Sequence, residues 1–188
     1  MEGGTATMVK NLGMKGKGEK NLCRVAEASI SSKWQSTDSC WLIQNLEDTI
    51  ALGKAFIHKI PNLKIVLLEG PLGSGKTCFV KGMANALKIN EPITSPTFPL
   101  AQHYLSGNIP LIHLDLYRLE NYKAANELFF QEEEEAKTLG ALIVIEWPER
   151  LNFFLPEAWK ITIEYRSFEE RLVHLSPPQI PDRQAKTS

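Results

Sequence analysis

From Asn45 to Ser176 the chain alternates apolar runs of strand length with longer stretches in which small or apolar residues recur at helical spacing. Leu46, Ile50, Gly53, Ile57 and Ile60 keep that spacing, and Asn45 offers a side-chain oxygen to the first turn, so a helix is predicted over 46–60. Lys64 to Glu69 holds Ile65-Val66-Leu67-Leu68 and runs into a glycine-rich turn, as expected of a strand buried on both faces. A helix over 76–87 follows. Further strands are predicted over 100–105, 111–115, 141–146, 160–165 and 171–175, with a helix over 124–139 between the second and third of these. Cys40 to Gln44 is a further short apolar run ahead of the first helix. The alternation argues for an α/β fold. The expectation is one domain with a mixed, mostly parallel sheet and helices on both faces, antiparallel in part because the strands near each end follow one another directly.

The ends read differently. Residues 1–33 are rich in Gly, Ser, Lys and Asn without sustained periodicity, and are expected to form a disordered N-terminal extension. Its cations Lys10, Lys15, Lys17, Lys20 and Arg24 are offset by Glu2, Glu19 and Glu27, and it has no apolar core of the kind a secretory signal needs. Residues 177–188 contain three prolines and few apolar residues and are read as a C-terminal tail, leaving a folded unit over 34–176.

Composition narrows the class. With 188 residues, 43% of them hydrophobic, the chain has the size and apolar content of one globular domain. A formal net charge of −1 gives no general attraction to DNA or an anionic membrane, so any RNA contact must be local or indirect. Cys23, Cys40 and Cys78 are odd in number and form no C-x-x-C pair, which suggests neither a disulfide framework nor a zinc site and makes a reducing cytoplasm the expected compartment. No apolar run reaches the roughly 20 residues of a membrane span.

The strongest chemical signal is Gly70-Pro71-Leu72-Gly73-Ser74-Gly75-Lys76-Thr77, a G-x-x-x-x-G-K-[ST] motif between a predicted buried strand and a predicted helix. With average residue usage, its four constrained positions arise by accident in fewer than about one in a hundred chains of this length. The glycines allow successive amides to line a concave turn at a helix N-terminus, a cradle for the phosphates of ATP or ADP. Lys76 would reach the β- and γ-phosphates, and the Thr77 hydroxyl is expected to ligate Mg²⁺. Cys78, next in the chain, is grouped with the loop and reads as a small packing residue.

Two apolar runs end in an acid, at Asp115 and Glu146, where parallel strands would deliver carboxylates to the rim that carries the P-loop. Such an acid ligates the metal or orients the attacking water. Thr97, in the connection after the P-loop helix, is placed to sense the γ-phosphate. Glu132 to Glu135 read as a solvated helix face with Gly140 as its stop, and His58, His103 and His174 lack partners at ligand spacing.

These residues resemble the TsaE (YjeE) family of ATPases of tRNA threonylcarbamoyladenosine synthesis. The resemblance spans about 45–175 through five ordered segments: Asp48 to Gly53, Leu68 to Phe79, Thr94 to Phe98 (T-S-P-T-F), His113 to Leu119 (H-L-D-L-Y-R-L) and Ile145 to Glu149 (I-E-W-P-E). It implies an ATPase that joins a TsaB–TsaD pair serving tRNAs that read codons beginning with A, as a resetting subunit with only indirect contact to tRNA. It also implies Mg²⁺ on Thr77 and Glu146, a hydrolytic role for Asp115, Trp147 near the nucleotide and Thr97 as the switch threonine. Thr49 and Arg171 are implied on the nucleoside side. The family usually has Asp after the first P-loop glycine; Pro71 stands there instead, removing one amide and one carboxylate.

Two other readings fit a P-loop. A small-molecule kinase would close an arginine-rich lid over the phosphates, but the folded unit has only Arg118, Arg150, Arg166 and Arg171, without a cluster. A non-hydrolysing, nucleotide-dependent binding module would keep the loop and dispense with Asp115.

Overall fold

The structure, a computed structural model, describes residues 9–11, 22–25 and 39–179. Its elements are β1 (Val9–Asn11), β2 (Leu22–Val25), β3 (Cys40–Ile43), α1 (Leu46–Lys59), β4 (Ile65–Glu69), α2 (Lys76–Ala86), β5 (Ala101–Tyr104) and β6 (Leu111–Asp115). Then come α3 (Tyr122–Leu139), β7 (Leu142–Glu146), a 3-10 turn at Pro148–Arg150, β8 (Trp159–Tyr165) and β9 (Arg171–Ser176). Local chemistry sets the boundaries. The Asn45 side chain accepts the Asp48 amide at 2.8 Å and starts α1, while Gly140 ends α3 in the left-handed region at φ 65°. Among the described residues no helix is long and apolar enough to cross a membrane.

The strands form one sheet in the order β1-β2-β3-β9-β8-β4-β7-β6-β5. Its centre, β8-β4-β7-β6, is parallel, and β5 and β9 flank that centre antiparallel, giving the mixed sheet expected. Alternate residues of the central strands enter two cores. Val66, Leu68, Val144 and Ile161 pack with α1 and α2 on one face, whereas Ile65, Ile112, Ile143 and Ile145 pack with α3 on the other. The helices thus cover both faces, and the carboxyl ends of the parallel strands all open on one rim.

Helices α1 and α2 approach backbone to backbone. A Cβ on Gly53 would lie 2.2 Å from the Phe79 carbonyl oxygen, and one on Gly82 would lie 2.0 Å from that of Ile50. Only glycine fits either position, and the two together fix the seam between the helices.

Two expectations are corrected here. Within the segment read as loose, β1 and β2 extend the sheet, with β2 parallel to β3 in the register Arg24↔Trp41. Runs of three and four residues are too short to show as a period, and their pairing partners lie far along the chain. The same pairing joins Cys23 to Cys40 in a disulfide across neighbouring strands, with Cα atoms 4.7 Å apart. Linear spacing said nothing of this proximity, which only strand pairing creates. The rest of 1–38 and the tail from 180 onward lie outside the described residues.

A third correction concerns the acidic run. Glu132 is buried and sits 2.6 Å from His103 Nε2 on β5, so only part of that run is a solvated face.

Candidate nucleotide site

The glycine-rich turn leaves β4 and enters α2 with Gly70, Gly73 and Gly75 at φ 145°, 76° and 109°. These are angles that side chains with a Cβ rarely adopt. Gly75 caps α2 with no side-chain hydrogen bond, and no acid occupies the first turn of the helix. Its leading amides are therefore free for an external anion, and nothing of negative charge on the helix competes for them. The Ser74 hydroxyl is buried without a hydrogen-bond partner in the same turn.

Lys76 is only 4% exposed. Its ammonium donates to the carbonyl oxygens of Gly70 at 2.7 Å and Pro71 at 3.1 Å, and lies 4.2 Å from the centre of the Trp147 ring. Burial lowers its pKa below the usual lysine value, and the charges of Glu146, Asp115 and Glu149 partly oppose that shift. Pro71 carries no amide, but its carbonyl accepts both the lysine and the Ser74 amide, at 3.2 Å.

Parallel pairing of β6 and β7 puts Asp115 and Glu146 side by side. Both are buried. Thr77 Oγ1 donates to Glu146 Oε1 at 2.8 Å, and His113 Nε2, fully buried, lies 3.0 Å from the same oxygen. Asp115 Oδ2 accepts the hydroxyls of Ser95 at 2.7 Å and Thr97 at 2.6 Å, and Oδ1 accepts the Tyr117 amide at 3.1 Å. Trp147 and Leu100 are both left-handed, at φ 62° and 67°. Each adjoins a site segment, and bulky residues in this region carry backbone strain.

The profile of the family described as "Threonylcarbamoyl adenosine biosynthesis protein TsaE" matches residues 43–173, most of the chain and every segment just described. The chain belongs to the TsaE family. A Nostoc relative named "tRNA threonylcarbamoyladenosine biosynthesis protein TsaE" is 36% identical over 134 residues, covering 70% of this chain and 81% of its own. A Treponema pallidum protein of the same name is 41% identical over 124 residues, covering 65% and 87%. A crystal structure of Bacillus subtilus YdiB is also similar, with a TM-score of 0.56 and 27% identity over 74% of this chain and 84% of that one.

Within this TsaE fold the residues singled out in the sequence fall into three groups. A cleft of about 410 Å³ is lined by the P-loop from Leu72 to Cys78 together with Thr97, Asp115, Glu146 and Trp147. Gly70 and Thr49 stand behind it: Gly70 packs on β8, where a Cβ would meet the Ile163 carbonyl oxygen at 2.3 Å, and the Thr49 methyl lies 3.6 Å from where a Gly75 Cβ would sit. Arg171 is outside the cleft wall. Its guanidinium donates to the Phe168 and Glu169 carbonyls and lies over the Tyr165 ring at 4.9 Å.

Sequence reasoning passed over several participants. Leu46, Ser95 and Tyr117 also line the cleft, and Tyr117 packs on Trp147 with ring centres 4.8 Å apart. Ser95 stood in plain view beside Thr97, and the T-S-P-T spacing could have flagged it. His113 lay two residues before Asp115, where strand alternation sends both side chains to the same face.

Proposed function

We propose that the chain binds ATP–Mg²⁺ in this cleft and hydrolyses it slowly, in support of threonylcarbamoyladenosine formation in tRNAs that read codons beginning with A. The observation that carries the reading is the Thr77–Glu146 hydrogen bond, which joins the P-loop hydroxyl to a strand-end carboxylate at the mouth of an anion cradle. The donors suit Mg²⁺. Thr77, Glu146 and Asp115 offer oxygens alone, and a hard cation that keeps several waters takes its remaining ligands from phosphate. Bound there, the ion would neutralise charge on the β- and γ-phosphates.

The chain's own residues divide the work. The α2 amides and Lys76 hold the phosphates, Thr77 and Glu146 hold the metal, and His113 fixes the Glu146 carboxylate from below. Asp115 orients the attacking water once Ser95 and Thr97 release it, which makes the Ser95–Thr97 segment the part that reports the γ-phosphate. ADP release resets the segment and with it the affinity for a TsaB–TsaD-type complex. Contact with tRNA is indirect, and neither membrane nor DNA takes part. Arg118 and Arg171 are engaged with Phe98 and Tyr165, and no arginine lines the cleft among the described residues. Transition-state charge then depends on the partner, and the lid of a small-molecule kinase has no counterpart in this cleft.

The test is ATP hydrolysis by the purified chain, alone and with the TsaB–TsaD pair plus tRNA, beside Lys76→Ala and Glu146→Ala. Stimulation by the pair that both substitutions abolish supports the reading. A full rate from the isolated chain, unchanged by partners, would sink the partner-completed site.

A further inference from the structure

We infer that Tyr165 is a positioning residue of the P-loop, holding the Leu72–Gly73 peptide so that the Gly73 amide is set for phosphate before nucleotide arrives. This rests on the proposal that the loop binds a nucleoside di- or triphosphate. The Tyr165 hydroxyl, at the end of β8, donates to the Leu72 carbonyl oxygen at 3.1 Å. It is a contact across 93 residues of sequence, made by the hairpin of β8 and β9 to the middle of the loop.

The contact acts through peptide geometry. In a trans peptide the carbonyl oxygen and the following amide hydrogen point in opposite directions across one rigid plane. A carbonyl tied outward to Tyr165 therefore turns the Gly73 amide away from the hairpin. Gly73 lines the cleft and Tyr165 does not. Gly73 itself sits at φ 76°, and a Cβ there would lie 3.0 Å from the Tyr165 hydroxyl. A glycine with so much backbone freedom needs an external restraint if its amide is to keep one orientation. The Pro71 carbonyl accepts the Ser74 amide and closes a β-turn around the Leu72–Gly73 peptide; that bond is compatible with either orientation of the central peptide, and the Tyr165 contact selects the one observed.

The hydroxyl is itself held in place. Tyr165 and Arg171 are cross-strand partners, and the guanidinium covers the ring at 4.9 Å. Arg171 in turn donates to the Phe168 and Glu169 carbonyls at the tip of the same hairpin. Arg171 thereby serves the site from outside it, as the support of the residue that touches the loop.

The experiment compares wild type with Tyr165→Phe, which removes the hydroxyl and keeps the ring under Arg171. ADP and ATP affinities are measured by calorimetry, the Gly73 amide is followed in ¹⁵N-labelled protein without nucleotide, and thermal midpoints are recorded. Loss of one solvent-accessible hydrogen bond is expected to weaken nucleotide binding about two- to fivefold. The Gly73 signal should shift or broaden, and the midpoint should stay within about 2 °C of wild type. A wild type that binds neither nucleotide overturns the underlying reading together with this inference. If wild type binds and Tyr165→Phe matches it in affinity and in the Gly73 signal, the inference alone is overturned.

Discussion

Thr77 and Glu146, 69 residues apart in the chain, meet at 2.8 Å because the helix that starts at the P-loop and the end of β7 converge on one rim of the sheet. The threonine hydroxyl donates its hydrogen bond to the carboxylate and keeps its oxygen lone pairs for a metal ion. Glu146→Gln keeps the size of the side chain and removes its charge. The Mg²⁺-dependent part of nucleotide affinity should fall about 10- to 100-fold, while affinity in EDTA changes by less than about threefold. Calorimetric titration of ADP with and without Mg²⁺ separates the two.

Asp115 receives two hydroxyls on one oxygen, while the P-loop lysine spends its hydrogen bonds on the Gly70 and Pro71 carbonyls. Asp115→Asn should therefore lower partner-stimulated hydrolysis by about 10²- to 10⁴-fold and leave ADP affinity nearly unchanged. Equal losses in both quantities would assign Asp115 to binding instead.

Lys76 is an ammonium kept in the folded chain against the cost of burial. Its folded pKa lies below 10.5, so the unfolded chain binds more protons between those two values, and the contribution of this group to stability rises with pH across that window. Below the window both states carry the charge and the full cost remains. Lys76→Met should abolish that alkaline rise and leave the chain as stable as wild type at pH 7, or more stable by about 1 kcal/mol. Nucleotide affinity should fall about 10- to 100-fold. Urea midpoints at pH 7 and pH 10, with ADP titrations, test all three.

At the seam of α1 and α2 the prediction concerns stability. Gly53→Ala and Gly82→Ala each drive a methyl group into a backbone carbonyl that cannot rotate away. Each should cost about 1–3 kcal/mol and lower the thermal midpoint by about 2–4 °C per kcal/mol. Gly140→Ala meets nothing within 4 Å and serves as the comparison, penalised only for its left-handed backbone.

How much of this was legible follows from the reach of each signal. The P-loop, its strand and its helix are written in neighbouring residues, and the ends of β6 and β7 could be read because burial on both faces leaves a continuous apolar run stopped by an acid. The Asn45 cap was equally local. By contrast, the Cys23–Cys40 bond, the Glu132–His103 pair and the Tyr165 contact depend on which strands and helices become neighbours. No pattern within a window of sequence encodes that. Arg171 shows the intermediate case, since the family resemblance drew attention to the residue while the structure gives it a different contact.

The disulfide yields one more expectation. Alkylation of the unreduced, denatured chain should label Cys78 alone, with Cys23 and Cys40 becoming reactive only after reduction. Peptide mass spectrometry reads the result, and labelling of all three without reductant would contradict the bond.

The glycine seam has a consequence for how the cleft can move. Where two helices touch main chain to main chain, neither can slide without breaking the contact, so Thr49, the loop behind it and Lys76 form a fixed jaw. The opposite jaw is different in kind: Ser95 and Thr97 are fastened to Asp115 by hydroxyl contacts that a phosphate oxygen or a water can replace one at a time. On the proposed reading, nucleotide turnover in this cleft would move one side only. On that reading Phe98, 85% exposed, next in the chain to Thr97 and covered by the Arg118 guanidinium at 4.9 Å, would carry the change to the surface.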